Sequence, residues 1–584
     1  MSLRCFFICV IFRPMEIEEE KSNYLHRRKA DSLFPKIIGA DNSAHLFEYG
    51  LETLRSISHN SSLPWVPYSL SDLSAETLRA LEENYGSLPD EGVEPQRVIR
   101  DLVQKFFPGV PHWRSPELQY NICAPVNAAA AALTGLAQEI NIHNISTDFA
   151  GRCLSAENAV SRIMATLIDL QPENVRGLFT FGGTGTNMYA MKLAINKAVP
   201  MAGKSGIPGN LYFLMTADAH FSHKTIADWL GIGVDRALQI KADTEGRSIV
   251  EDAETKARNV LGQGGILAGF MLNGGPFYNF AIDDIQAFVH LREKLVADYK
   301  LVYTPHIHVD SVIGWIWLMF NGYNFESNPL EIPREVLPLI EEQSRRAYGI
   351  RLADSWGADF HKAFGGCPAP CGFFVSNHRQ ELLFLSKSKR GIDTHHLGND
   401  WSTEDPSDIT LETSRAAGVA LAALGSLITM GRNGFRRFLA NQMAVTKRFR
   451  DMISETRQFI VGNPNALGFN TMVLAFPPGF PDELRNLKKF LEAIEQDKEL
   501  LSRFNQKLRD FYEWCLRGPN PNIGRLGCSF SRSFKRTLNG EPISGLKYCF
   551  VSPHMDYTTV EKEVSKLQKQ LDEFYHHSPD QILN

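Results

Sequence analysis

Four short segments of this chain carry residue types fit for chemistry. In the run Ala353-Asp354-Ser355 through Asp359-Phe360-His361-Lys362-Ala363, Lys362 stands among small residues, where a lysine amine can form a Schiff base with an aldehyde cofactor. Asp310 belongs to His308-Val309-Asp310-Ser311, and a carboxylate at a strand end can pair with a protonated pyridine nitrogen and raise its pKa by direct charge attraction. His220, in Ala219-His220-Phe221-Ser222-His223-Lys224, is an imidazole that can stack on a flat heteroaromatic ring. Phe181-Gly182-Gly183-Thr184-Gly185-Thr186-Asn187 opens a helix; its glycines let the backbone approach a ligand, and the helix N-terminus favours an anion. This turn is not a dinucleotide fingerprint, because Met188 stands where the third glycine belongs, and it lacks the Gly-Lys-Ser/Thr of a Walker loop. Taken singly, each segment has a commoner explanation: a glycine turn, a partly buried histidine, a capping aspartate and a surface lysine.

The elements around these segments bring them together. Apolar runs of strand length (Leu211–Thr216, Ile266–Leu272, Ile307–Asp310, Gly372–Val375) alternate with helical patterns (Ala128–Ile140, Ala156–Leu170, Thr186–Ala198, Ile282–Tyr299). Such alternation predicts right-handed crossovers and a mostly parallel sheet covered on both faces. In such a sheet the carboxyl ends of the strands converge on one crevice. Residues 1–110 read as an N-terminal arm with helical fragments such as Ser71–Glu83, and residues 111–425 as the large domain. Residues 426–584 read as a smaller α+β domain, with helices over Gly434–Thr456, Asp482–Leu508 and Thr558–His576 and strands over Thr471–Phe476 and Leu546–Val551.

Composition narrows the function classes. A net charge of -5 with interspersed signs gives no reason to expect nucleic acid. Nine cysteines, an odd number spread widely, read as reduced thiols in a cytoplasmic protein. Cys367 and Cys371 lack a second pair to complete a metal set, so no metal is expected. The apolar run Cys5–Phe12 is too short to span a membrane, and the opening residues read as a leader upstream of a start at Met15. No membrane association is expected.

In their order along the chain, the four segments resemble the group II pyridoxal-phosphate-dependent amino-acid decarboxylases. This fold-type I family includes glutamate, aromatic amino-acid and tyrosine decarboxylases and is akin to sphingosine-phosphate lyase. The resemblance runs over residues 111–435 and is carried by FTFGGTGTN, TADAHFSHK, HVDS and ADSWGADFHK. It implies an α/β fold with a large, mostly parallel seven-stranded sheet domain and a smaller C-terminal domain.

Position by position, the resemblance implies that Gly183 and Thr184 hold the cofactor phosphate, His220 stacks on the pyridine ring, Asp310 pairs with its nitrogen and Lys362 carries the aldehyde carbon. It implies a phosphate or cofactor contact at His361. Asn273 stands where the family has a threonine near the ring. Ser414, in Thr413-Ser414-Arg415, matches a segment that can reach a neighbouring subunit's phosphate. The loop Ser386–Pro406 holds His395 and His396, candidates to return a proton to the product.

The implied reaction is decarboxylation of an L-amino acid through an external aldimine, releasing CO2 and an amine. The implied assembly is a homodimer with its active site at the subunit interface. A carbon–carbon lyase, an aldehyde-forming enzyme and a catalytically silent homologue are the alternatives. Aromatic and acidic substrates both remain open, since Trp315, Trp317 and Trp356 either line an aromatic pocket or pack a core. Three departures stand out: Gly185 where glutamate is common, Val-Ile-Gly-Trp after HVDS, and extra chain around Asn321–Arg346.

Overall fold

The computed structural model describes residues 41–58, 64–68, 70–123, 125–216, 219–393, 405–476, 480–517 and 525–577. The leader and Met15 lie outside the described residues. The chain forms two compact units, Met1–Pro111 and His112–Asn584.

The first unit holds helices Asp41–Ile57, Ala75–Tyr85 and Pro95–Phe106. The second helix starts later than the expected Ser71 because Ser74 caps it, its Oγ accepting from Thr77 N at 3.1 Å. Pro95 occupies the first turn of the third, where a missing N–H costs nothing.

The second unit is built on a seven-stranded sheet: β1 Arg176–Thr180, β2 Leu211–Thr216, β3 Ala237–Ile240, β4 Ile266–Asn273, β5 His306–Asp310, β6 Ser355–Asp359 and β7 Gly372–Ser376. The spatial order is β1-β7-β6-β5-β4-β2-β3. Strands β3, β2, β4, β5 and β6 run parallel, as the strand–helix alternation predicts, whereas β7 is antiparallel to both β6 and β1. The connection from β6 to β7 contains no helix and so turns back, since a parallel return needs a longer crossover.

Strand β1, not foreseen in sequence, is an edge strand with every residue buried. Helix Leu154–Leu167 covers it and satisfies its outward N–H groups: Gly177 N donates to Ser161 Oγ at 2.9 Å and Phe179 N to Glu157 Oε1 at 2.6 Å.

Helix Ala417–Glu455 leaves helical geometry at Gly431 (φ 58°, ψ 167°), a left-handed conformation that glycine adopts without strain. Its Ala420, Ala423 and Leu439 join the core beneath the large sheet, and its Val445, Phe449 and Ile453 join a second core. The expected Gly434–Thr456 helix is therefore only the second half of the observed one. The second core lies under an antiparallel sheet of β8 Phe459–Val461, β9 Asn470–Ala475, β10 Ser529–Arg536 and β11 Pro542–Cys549, in the order β10-β11-β9-β8. The helix expected over Asp482–Leu508 is two, Leu487–Gln496 and Lys498–Arg517. They part at Asp497, whose Oδ1 accepts from Leu500 N at 2.9 Å.

Trp315, Trp317 and Trp356 are fully buried among the largest core side chains and pack the core. The extra chain near 321–346 is pinned by Asn328, which accepts from Tyr323 Oη at 2.6 Å and donates to the Ile332 carbonyl at 2.8 Å. Among the described residues no helix is long and apolar enough to cross a membrane.

Candidate active site

Three neighbouring parallel strands end side by side on polar residues: β4 on Asn273, β5 on Asp310 and β6 on Asp359. Asn273 and Asp310 are register partners. Facing these ends is the start of helix Gly183–Ala198. Its first intrahelical donor is Thr186 N, to the Gly182 carbonyl at 3.2 Å, so the preceding N–H groups have no helical acceptor and suit an anion.

The turn before that helix requires glycine. Gly182 has φ +102°, and a methyl group on Gly183 would come within 2.7 Å of Asp359 Oδ2 and 2.9 Å of Val312 Cγ1. A side chain at Gly185 would meet Thr180 Oγ1 at 2.7 Å, so the glutamate common in the family has no room here. Thr184 is exposed, its hydroxyl open to a ligand.

Asp310 is 8% exposed, and its Oδ2 accepts from Asn187 Nδ2 at 2.8 Å and from His223 Nε2 at 3.0 Å. Burial alone would raise its pKa, but the hydrogen bonds from His223 and Asn187 and the charge of Lys362 outweigh burial and hold the carboxyl below its ordinary range. It is a fixed anion at a strand end.

Lys362 Nζ lies 2.7 Å from Asp359 Oδ2, and the lysine side chain keeps 22% of its surface exposed. Burial pushes this ammonium down, but the adjoining Asp359 charge and hydrogen bond push harder, so the net shift is upward. Asp359 Oδ1 has no hydrogen-bond partner although the residue is fully buried.

His220 is packed on Phe221 with ring centroids 4.2 Å apart, and its Nδ1 meets Ser222 Oγ at 2.9 Å. Its pKa falls through burial, with the charges of Asp310, Lys362 and Asp359 also acting on the ring. His361 Nδ1 accepts from Cys371 N at 3.1 Å, and its Cε1 lies 3.7 Å from where a Gly182 side chain would begin. Asn273 Nδ2 donates to Thr216 Oγ1 at 3.2 Å.

Ser414 is exposed. The neighbouring Arg415 turns inward, reaching Glu157 Oε2 at 3.2 Å and the Phe179 carbonyl at 3.0 Å, so its guanidinium is committed within its own subunit. His395 and His396 lie outside the described residues.

Four groups at this site had no part in the sequence reading. Asn187 and His223 sit inside segments singled out for other residues. Asn187 follows Gly183 by four positions in helix Gly183–Ala198, one turn along the same face, and His223 lies in the first turn of helix Ser222–Trp229; both side chains reach Asp310. Asp359, three positions before Lys362, gave no separate signal. The fourth is Lys547 on β11, whose ammonium finds no acceptor among the described residues and lies 4.8 Å from the Phe277 ring centroid. Lys547 and Lys362 both act on the Cys123 thiol, and Cys123 pairs through its backbone with Lys362.

The donor set fits pyridoxal phosphate. The glycine turn and helix start suit its phosphate, Asp310 its ring nitrogen and Lys362 its aldehyde, while the unpartnered Asp359 Oδ1 leaves polar capacity beside them.

Comparison with known proteins agrees. The conserved domain of pyridoxal-dependent decarboxylases matches residues 77–470. L-2,4-diaminobutyrate decarboxylase of Rhizobium meliloti is 25% identical over 395 residues, covering 67% of this chain and 71% of that protein. The acidic amino acid decarboxylase GADL1 of Xenopus tropicalis is 24% identical over 324 residues, and the match spans 54% of this chain and only 55% of that relative. Among solved structures, mouse CSAD superposes with a TM-score of 0.72 at 16% identity, covering 91% of this chain and 99% of that one. The Oryza sativa TDC structure with PLP and tryptamine gives 0.71 at 14%, covering 92% and 99%. At such identities these two show the fold alone. A domain match over two thirds of the chain establishes the family, and the chain belongs to the pyridoxal-dependent decarboxylases, amino-acid carboxy-lyases that work with pyridoxal phosphate.

Proposed function

We propose that Lys362, Asp310, His220 and the Gly183–Thr184 turn are the working parts of an L-amino-acid decarboxylase whose substrate is anchored by a carboxylate at Lys547. The observation that carries this reading is the placement of Asn273, Asp310 and Asp359 on three adjacent strand ends, with Lys362 paired to Asp359. Bound pyridoxal phosphate supplies an electron sink for the bond to the departing carboxylate. Asp310 would offer the ring nitrogen of that group a fixed negative charge, His220 would pack on its ring, and His361 and Asn273 would border the same space. Asp359 receives the ammonium form of Lys362 whenever that amine is free, so the released lysine stays beside the substrate and can take up or give back a proton.

Lys547 supports an anionic contact because it is a partly buried cation with no carboxylate among its described neighbours. Lys547→Met should raise KM for the amino acid about 10- to 100-fold while changing kcat less, the signature of a charge-assisted contact made equally in ground and transition states. Release of CO2 with unchanged KM in that variant would remove the anchor from the proposal.

The proposal includes a cytoplasmic homodimer with its site near the subunit boundary. The described cysteines are all free thiols, as a reducing compartment allows. Large apolar side chains stand exposed next to site residues: Phe181 beside Gly182, Phe221 at 75% beside His220, and Trp229 at 79% at the end of helix Ser222–Trp229. Were these side chains to form one contiguous patch, it would be of the kind that a partner covers. Sedimentation of the holoenzyme should give twice the chain mass, and a monomer at micromolar concentration would exclude the shared site.

A further inference from the structure

Behind Asp310 runs a file of buried polar groups that the reaction as described leaves unused. Asn187, whose Nδ2 donates to Asp310 Oδ2, presents its Oδ1 to His308 Nε2 at 3.0 Å. His308 Nδ1 lies 2.8 Å from Ser355 Oγ, and Ser355 Oγ lies 2.7 Å from His306 Nε2. His306 Nδ1 is 3.4 Å from Lys197 Nζ, which also donates to Glu381 Oε1 at 2.7 Å. Asn187, His308, Ser355 and His306 are each at most 1% exposed.

The direction of every bond follows from Asp310. A carboxylate only accepts, so the Asn187 amide must turn its NH2 to Asp310 and its oxygen to His308. His308 then carries its proton on Nε2 and accepts at Nδ1 from the Ser355 hydroxyl. Ser355 has a single proton, so His306 must donate from Nε2 and accept at Nδ1, where the Lys197 ammonium stands. Both imidazoles must be neutral for this to hold. Burial lowers His306 well below its ordinary value and brings His308 to about 3.

The other charges around the file do not interrupt it. Asp354 Oδ2 and Glu381 Oε2 lie 3.7 and 3.9 Å from His306 Nδ1, beyond hydrogen-bond range. Arg292 pairs with Asp354 at 2.7 Å, and His223 meets Asp310 directly.

We propose that Lys197, His306 and Ser355 are positioning residues for decarboxylation: with His308 and Asn187 they form a one-way hydrogen-bond relay that sets the charge and orientation of Asp310 from the opposite end of β5. Each bond polarises the next in the same sense, from a cation at one end to an anion at the other. The inference rests on the proposed pairing of Asp310 with the cofactor ring nitrogen.

The test uses holoenzyme loaded with pyridoxal phosphate carrying 15N in the ring, with the ring-nitrogen shift followed against pH in the absence of substrate. The wild-type nitrogen should be protonated, and Ser355→Ala and Lys197→Gln, which weaken the donation to Asp310 and leave its carboxylate a stronger base, should each move its deprotonation midpoint up by about one pH unit, a tenfold change. Ser355→Thr and Lys197→Arg, which keep the hydroxyl and the charge, should restore it. A merely structural role would not move this midpoint. Wild-type midpoints in Ser355→Ala and Lys197→Gln would overturn the relay. If Ser355→Ala does not fold, Lys197→Gln decides alone. A wild-type nitrogen unprotonated at every pH would instead bring down the Asp310 pairing, and the relay with it.

Discussion

Alanine at position 362 should leave a protein that no longer attaches pyridoxal phosphate covalently and releases CO2 on the order of a thousandfold more slowly or worse. The visible absorption of the lysine-bound cofactor should be absent, and retained turnover would count against the whole assignment. The substitution has a structural side effect that must be separated from its chemistry. Asp359 is fully buried, and Lys362 is its ion-pair partner at 2.7 Å. Removing that partner strands a carboxylate and should cost about 1–3 kcal/mol of stability. Adding Asp359→Asn to Lys362→Ala should recover that stability without recovering turnover. The same pair governs how the wild-type protein takes up its cofactor. Only the neutral amine attacks an aldehyde, and Asp359 holds the Lys362 ammonium above its ordinary range. The rate of covalent uptake should therefore rise with pH through the alkaline range, and Asp359→Asn should move that rise to lower pH. Uptake indifferent to pH would refute this role for Asp359.

How much of this was legible in sequence varied with the kind of signal. The parallel strands β2, β4 and β5 were legible because each is a buried apolar run bounded by polar turns, and the family followed from four motifs in order. Strand β1 was not, because Arg-Gly-Leu-Phe-Thr has neither alternation nor length to mark it. It is a strand because β7 and the side chains of Glu157 and Ser161 complete its hydrogen bonds, which is tertiary information. The first half of helix Ala417–Glu455 was missed for a related reason. Its alanines and glycines form no polar face, since the helix is packed from several sides. At the site, residues quoted for their chemistry were visible, whereas those that act through them were not. Ser355 reads as an ordinary strand residue until its hydroxyl is seen between two imidazoles. Lys547 comes from a different sheet, at a distance in sequence from which no spacing argument reaches the cofactor.

The second large effect should come from Asp310→Asn, which changes one atom and keeps the shape. Asp310 Oδ2 accepts two N–H groups, from Asn187 and His223, and an asparagine cannot accept at both positions with its nitrogen. Either it offers its oxygen to these donors and turns its NH2 toward the ring nitrogen, or it turns the NH2 inward against a donor. In the first arrangement the ring nitrogen faces a donor and must be unprotonated. In the second, the conflict is relieved only if Asn187 turns its amide over and His223 moves its proton to Nδ1, which is buried and has no partner at present. Both outcomes remove the negative charge that would keep the ring nitrogen of the bound cofactor protonated, the form that best accepts electrons. Because that acceptance is needed mainly in the transition state, kcat should fall about 10²- to 10³-fold. Covalent uptake at Lys362 does not need this charge, so the visible band should persist with a changed maximum. The contrast is the discriminating result: Lys362→Ala loses the band and the activity together, Asp310→Asn keeps the first and loses the second. A variant that retains more than a tenth of the wild-type kcat would show that Asp310 serves only to shape the strand end. The carboxylate buried against Asn187 and His223 would then be a structural anion, and the cofactor ring would draw its electronic support from elsewhere in the cleft.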